Sequence, residues 1–116
     1  RGIGVEAGLW HADAVQSWAD SPVRRQCLRV LVELPDGLDD AESVAMATDL
    51  VDRVQGVGTG LPVLVHGEGS STWPALRLAR RQGWPTRIGL EDTLYLPDGT
   101  PAESNTQLVR TALALV

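Results

Sequence analysis

Apolar positions along this chain follow two rhythms that take turns. Residues 27–34, CLRVLVEL, are almost continuously apolar, the pattern of a strand buried on both faces. Residues 39–55 instead place Val44, Ala47, Leu50, Val51 and Val54 at helical spacing on one face. Asp39 serves as N-cap there, with Glu42 three residues on, an Asp version of the capping box. The same alternation predicts a strand over 2–10 and a helix over 11–19 that Ser21 and Pro22 end. After the turn at Pro35, Asp36 and Gly37 and the helix at 39–55, a strand is expected over 61–66, with Pro62 tolerated at its start. A helix over 71–82 follows, with Thr72 as cap, Pro74 in its first turn and Gly83 as its stop. A fourth strand begins at Thr86. The turn at 97–99 follows, and Thr100, Pro101, Ala102 and Glu103 read as a capping box opening the last helix. The order βαβαβαβα predicts parallel strands joined by helical crossovers, in a single domain over 1–116.

Each expected strand ends in an acid: Glu6, Glu33, Glu68 and Glu91. In α/β sheets the carboxyl ends of the strands form the ligand face. Four carboxylates at one rim repel one another, so Arg87, a metal ion or a cationic substrate must compensate. One or two of the four are expected to point outward or to cap the next helix.

The stretch 86–96, TRIGLEDTLYL, carries the densest chemistry. Strand alternation puts Arg87, Gly89 and Glu91 on one face and Ile88 and Leu90 on the other. The glycine between cation and anion leaves room for a third body, and Asp92 follows where pairing stops. The plainer reading is an Arg–Glu ion pair on a solvated edge. Residues 66–71, HGEGSS, come second. His66 and Glu68 share a face, Gly67 lets a ligand approach the backbone, and the helix N-terminus that follows offers an anion site. Trp10 and Trp73 follow ligand-end strands and can wall a pocket, whereas Trp18 and Trp84 are expected between helix and sheet. His11 and the Arg77, Arg80, Arg81 cluster are expected on the surface.

Composition narrows the classes. The net charge of −5 supplies no basic stripe for nucleic acid. All ten basic residues are arginines, so no lysine in this chain can form a Schiff base. Cys27 is expected to be a buried small hydrophobe in a reducing, cytoplasmic setting. No apolar run is long enough to span a membrane. Arg1 opens the chain without a methionine and Val116 falls inside an uncapped helical pattern, so a fragment of a longer chain is expected.

GVEAGLW, VLVHGEGSSTWP and above all TRIGLEDTLYLPDG closely resemble the β-keto acid cleavage enzymes, the group that includes the 3-keto-5-aminohexanoate cleavage protein. The resemblance runs from end to end of the chain. It implies a (β/α)8 TIM barrel of which this chain supplies the C-terminal half, strands five to eight with their helices. It also implies a zinc-dependent homo-oligomeric enzyme. The reaction would condense a β-keto acid with acetyl-CoA and cleave a C–C bond to give acetoacetate and a new acyl-CoA. By resemblance Glu91 is a Zn2+ ligand, Arg87 and Asp92 are the catalytic pair with Asp92 as base, and Glu6 lies near the substrate. Glu33, His66, Gly67 and Glu68 complete the expected substrate-binding set.

The family's His-x-His zinc pair belongs to the other half of the barrel, and neither His11 nor His66 stands in such a pattern. One carboxylate cannot hold a catalytic zinc, which takes three protein ligands. The remaining half-barrel or a second copy is therefore expected as partner. The alternatives are a non-catalytic half-barrel that binds an anion, and another metal-dependent aldolase on the same barrel.

Overall fold

The computed structural model describes residues 5–115; residues 2–4 of the expected first strand, and Val116, lie outside them. Three strands pair in parallel, β1 (Val5–Leu9), β2 (Cys27–Leu34) and β3 (Val63–Gly67), in the order β1-β2-β3. The crossovers carry α1 (Ala12–Asp20) and α2 (Asp40–Gly56); α3 (Thr72–Gln82) and α4 (Asn105–Ala114) follow β3. The structure therefore bears out an α/β chain with parallel strands.

Strand alternation divides the sheet. Val30, Val32 and Leu34 of β2 and Val63 and Val65 of β3 bury one face against Ala47, Leu50, Val51 and Val54 of α2 and Ala75, Leu78 and Ala79 of α3. Burying a Val or Leu side chain fully stabilises by about 1.5–3 kcal/mol, so this layer anchors the chain. Trp18 and Cys27 lie in the same core, and Trp84 packs against it, as expected. The opposite face carries Glu33 and His66, which are register partners across β2 and β3. The capping box on α2 forms: Asp39 accepts from Glu42 N–H, and Glu42 returns a carboxylate to Asp39 N–H.

Three expectations fail at the C-terminal end. The fourth strand does not form. Residues 84–89 run beside β3, but the ladder is reduced to Val65 N–H donating to the Pro85 carbonyl at 2.9 Å. Pro85 has no N–H to offer in return. The Gly89 carbonyl accepts from Asp92 and Thr93 in a turn, and Leu90 N–H donates to Asn105 Oδ1. The capping box at 100–103 is also absent. Thr100 donates its hydroxyl to Asp98 Oδ1, its carbonyl accepts from Leu96 N–H, and Pro101 bridges to Tyr95 in antiparallel sense. That turn keeps the chain extended until Ser104, whose Oγ accepts from Gln107 N–H as the N-cap of α4. Thr72 is not the cap of α3 but its first residue, and its hydroxyl donates to the Asp92 carbonyl.

Candidate active site

The carboxyl ends of β2 and β3 place Glu33 and His66 side by side, and the turn at 90–92 brings Asp92 against them. Asp92 is held there by its backbone. Its carbonyl accepts from Gly69 N–H at 2.7 Å and from Thr72 Oγ1 at 3.2 Å, tying the turn to the start of α3. His66 Nε2 stands 3.5 Å from Glu33 Oε1, and His66 Nδ1 stands 3.7 Å from Asp92 Oδ1. Arg87 approaches Asp92 Oδ1 from the other side at 3.6 Å. The result is a row in which His66 lies between two carboxyl groups and Arg87 closes one end: Glu33, His66, Asp92 and Arg87. Its two middle members are only 5% and 6% exposed.

A cavity of about 300 Å³ opens on this row, walled by Trp10, Leu34 and Pro35 and lined by Glu33, His66, Glu68, Arg87, Glu91 and Asp92. Sequence reasoning therefore named all six of its charged or titratable residues. It also named Trp10, which is exposed at the end of β1. A larger groove of about 1030 Å³ shares Glu68, Glu91 and Asp92 with this cavity and continues along Trp73, Leu90, Leu94 and Tyr95. Trp73 is fixed in that wall, donating from Nε1 to the Tyr95 carbonyl at 2.9 Å. The apolar run Leu94–Tyr95–Leu96 gave no sequence signal for a groove, because its position follows from the turn at 90–93.

Burial is the largest influence on Asp92 and raises its carboxyl above the ordinary range; Glu91 adds to this, while Arg87 and His66 oppose it. The neighbouring cation thus does not dominate.

Several expected site residues have other duties. Glu6 is the second residue of β1, not its end, and pairs with Arg29 at 2.7 Å outside the cavity. The carboxyl end of β1 belongs to Trp10 instead. Gly67 does not open the backbone to a ligand: a Cβ there would run into Ser71. At Gly89 a Cβ would lie 2.7 Å from Glu91 Oε2. The glycine accommodates the Glu91 carboxylate itself.

The anion site expected at 66–71 is filled by the protein. Glu68 N–H donates to Ser71 Oγ, Gly69 N–H to the Asp92 carbonyl, Ser70 N–H to Asp36 Oδ1 and Ser71 N–H to the Glu68 carbonyl. Asp36 of the 35–37 turn acts as the resident anion. Those bonds, chiefly from Ser70 N–H and then Gly37 N–H, hold its carboxyl below the ordinary range.

The family model described as beta-keto acid cleavage enzyme matches residues 19–116. The chain belongs to the β-keto acid cleavage enzyme family. No curated protein matches it. In this family member the match takes in β2, β3 and the 86–92 segment, so every member of the row from Glu33 to Arg87 lies within it. Among the described residues, no three His, Cys, Asp or Glu side chains gather closely enough to hold a metal. These residues do not make a zinc site by themselves. Glu91, exposed at the cavity rim, offers a single donor. Among the described residues no helix is long and apolar enough to cross a membrane.

Proposed function

We propose that this chain supplies the acid–base half of a β-keto acid cleavage site, its three parallel strands and the 84–89 segment beside β3 forming part of a (β/α)8 barrel. In the reaction the CH2COO⁻ unit of a β-keto acid passes from its own acyl group to the acetyl group of acetyl-CoA. The C–C bond to the original β-carbonyl breaks, a new one forms to the acetyl carbon, and the released acyl group leaves as its CoA thioester. The forming bond needs a proton removed from the carbon between the two carbonyl groups. Asp92 is the base. Its burial beside Arg87 supports this, because a carboxyl raised above the ordinary range is a stronger base than an exposed one. Arg87 faces Asp92 at 3.6 Å and, being partly exposed, meets the substrate carboxylate. Glu33 and Glu68 line the same cavity.

Zinc is part of this proposal only with donors from outside the chain, Glu91 contributing one. Those donors, and the strands that complete the barrel, come from the other half of the barrel or a second copy. The observation that carries the reading is the Glu33–His66–Asp92–Arg87 row lying inside the family match. An anion-binding half-barrel has less support, since the N–H groups at 68–71 already have acceptors. The test is to incubate the full-length protein with acetyl-CoA and a panel of β-keto acids, among them 3-oxopentanoate. Acetoacetate and the matching acyl-CoA are then sought by mass spectrometry. Acetoacetate formed in step with a new acyl-CoA is expected; no acyl-CoA from any member of the panel overturns the reading.

A further inference from the structure

His66 is buried, and neither ring nitrogen makes a hydrogen bond. Both have carboxylates in front of them, Glu33 Oε1 at 3.5 Å from Nε2 and Asp92 Oδ1 at 3.7 Å from Nδ1. These separations exceed an N–H···O bond yet leave no space for a water between. Asp92 Oδ2 is likewise buried without a partner. Polar atoms left unbonded in a buried site are unfavourable, so a small rotation that closes the pair is favoured.

The backbones on either side are fixed. His66 is locked into the β2–β3 ladder opposite Glu33, and the Asp92 carbonyl is held by Gly69 and Thr72. What remains undetermined is the rotation of the Asp92 carboxylate. Arg87 is a weak determinant of it, because its side chain is 45% exposed. The His66 ring is confined: Glu33 lies along one edge and Asp92 along the other.

We propose that His66 is a positioning residue for Asp92, donating from Nδ1 to Oδ1 and so fixing the rotation of the Asp92 carboxylate at the cavity. Its ring acts through Asp92 and does not contact substrate. This rests on Asp92 being the base in the function proposed above, and the experiment separates the two.

Two variants of the full-length protein divide the roles. His66→Phe keeps a flat ring and removes both nitrogens; His66→Asn keeps a donor near the place of Nδ1. Using acetyl-CoA and 3-oxopentanoate, His66→Phe should lower kcat by about 10²-fold with KM little changed, as expected for a misplaced base. His66→Asn should recover most of that loss. Equal losses in the two variants, or a loss carried by KM, overturn the proposal. Crystal structures of the parent and His66→Phe give a readout independent of turnover. The Asp92 carboxylate should rotate away from the cavity in the variant, and a carboxylate left in place overturns the proposal. A parent that turns over no β-keto acid, with the carboxylate displaced in His66→Phe, defeats the proposed reaction and leaves the positioning role standing.

Discussion

Arg87 stands 3.6 Å from Asp92 Oδ1, yet the Asp92 carboxyl lies above its ordinary range. Burial outweighs the guanidinium because the carboxylate loses its water on most sides, while Arg87 remains partly solvated. The folded chain therefore binds a proton at Asp92 more readily than the unfolded chain does. That binding favours the folded state below the ordinary carboxylate value of 3.8, and the contribution is lost as pH rises through the higher folded value. At neutral pH an ionised Asp92 is a burden on stability. Asp92→Asn should therefore melt above the parent near neutral pH, with the difference shrinking as the medium is acidified. Its turnover should fall by about 10²–10⁴-fold. Thermal melts over a pH series, with kinetics beside them, check both. A variant that melts lower at neutral pH contradicts the burial argument, and near-normal turnover excludes Asp92 as base.

Glu91 and Gly89 form a second pair. Gly89→Ala would place a Cβ 2.7 Å from Glu91 Oε2, and the flexible carboxylate must swing aside. If Glu91 donates to zinc, metal content in the full-length protein should fall most in Glu91→Gln and partly in Gly89→Ala. Asp92→Asn should keep it. Metal analysis of the three purified proteins decides, and equal zinc in Glu91→Gln and the parent excludes Glu91 as an essential ligand.

Asp36 occupies the anion position before α3. Asp36→Ala should free the N–H of Ser70, leave Gly37 N–H with Ser70 Oγ as its acceptor, and lower the melting temperature. The Asp36 carboxyl is held low, so its contribution is present at neutral pH and disappears as pH falls from the ordinary value through the lower folded one. The gap between variant and parent should close accordingly in acid. Inorganic phosphate should raise the melting temperature of the variant and leave the parent unmoved. A variant indifferent to phosphate would mean that the opened position does not select anions.

Glu6 tests the boundary of the site. Its pair with Arg29 is 41–43% exposed by side chain, and such pairs contribute about 0.2–1 kcal/mol. Glu6→Gln should leave turnover of the full-length protein near that of the parent, whereas Glu33→Gln, inside the cavity, should not. A large loss of turnover in Glu6→Gln would show that Glu6 reaches the substrate after all.

The sequence by itself determined the elements whose signals are local. The apolar run at 27–34 made β2, the helical face from Val44 to Val54 made α2, and the Asp39–Glu42 box fixed where α2 begins. It also determined which residue types meet at the site, because Glu33 and His66 must emerge at neighbouring strand ends once the sheet is parallel. Tertiary structure decided what each group then faces. A glycine signals space for something, but only three-dimensional neighbours show that Gly67 yields to Ser71 and Gly89 to Glu91. A Gly-Ser loop before a helix signals an anion, but only long-range packing brings Asp36 there from 34 residues away. Glu6 is an acid in a strand like Glu33, and the register alone sets it below the cavity, opposite Arg29. The fourth strand shows the same limit. Its residues favour extension, but ladder formation depends on partners, and the free groups of Gly89 and Leu90 bond instead within the 89–93 turn and to Asn105.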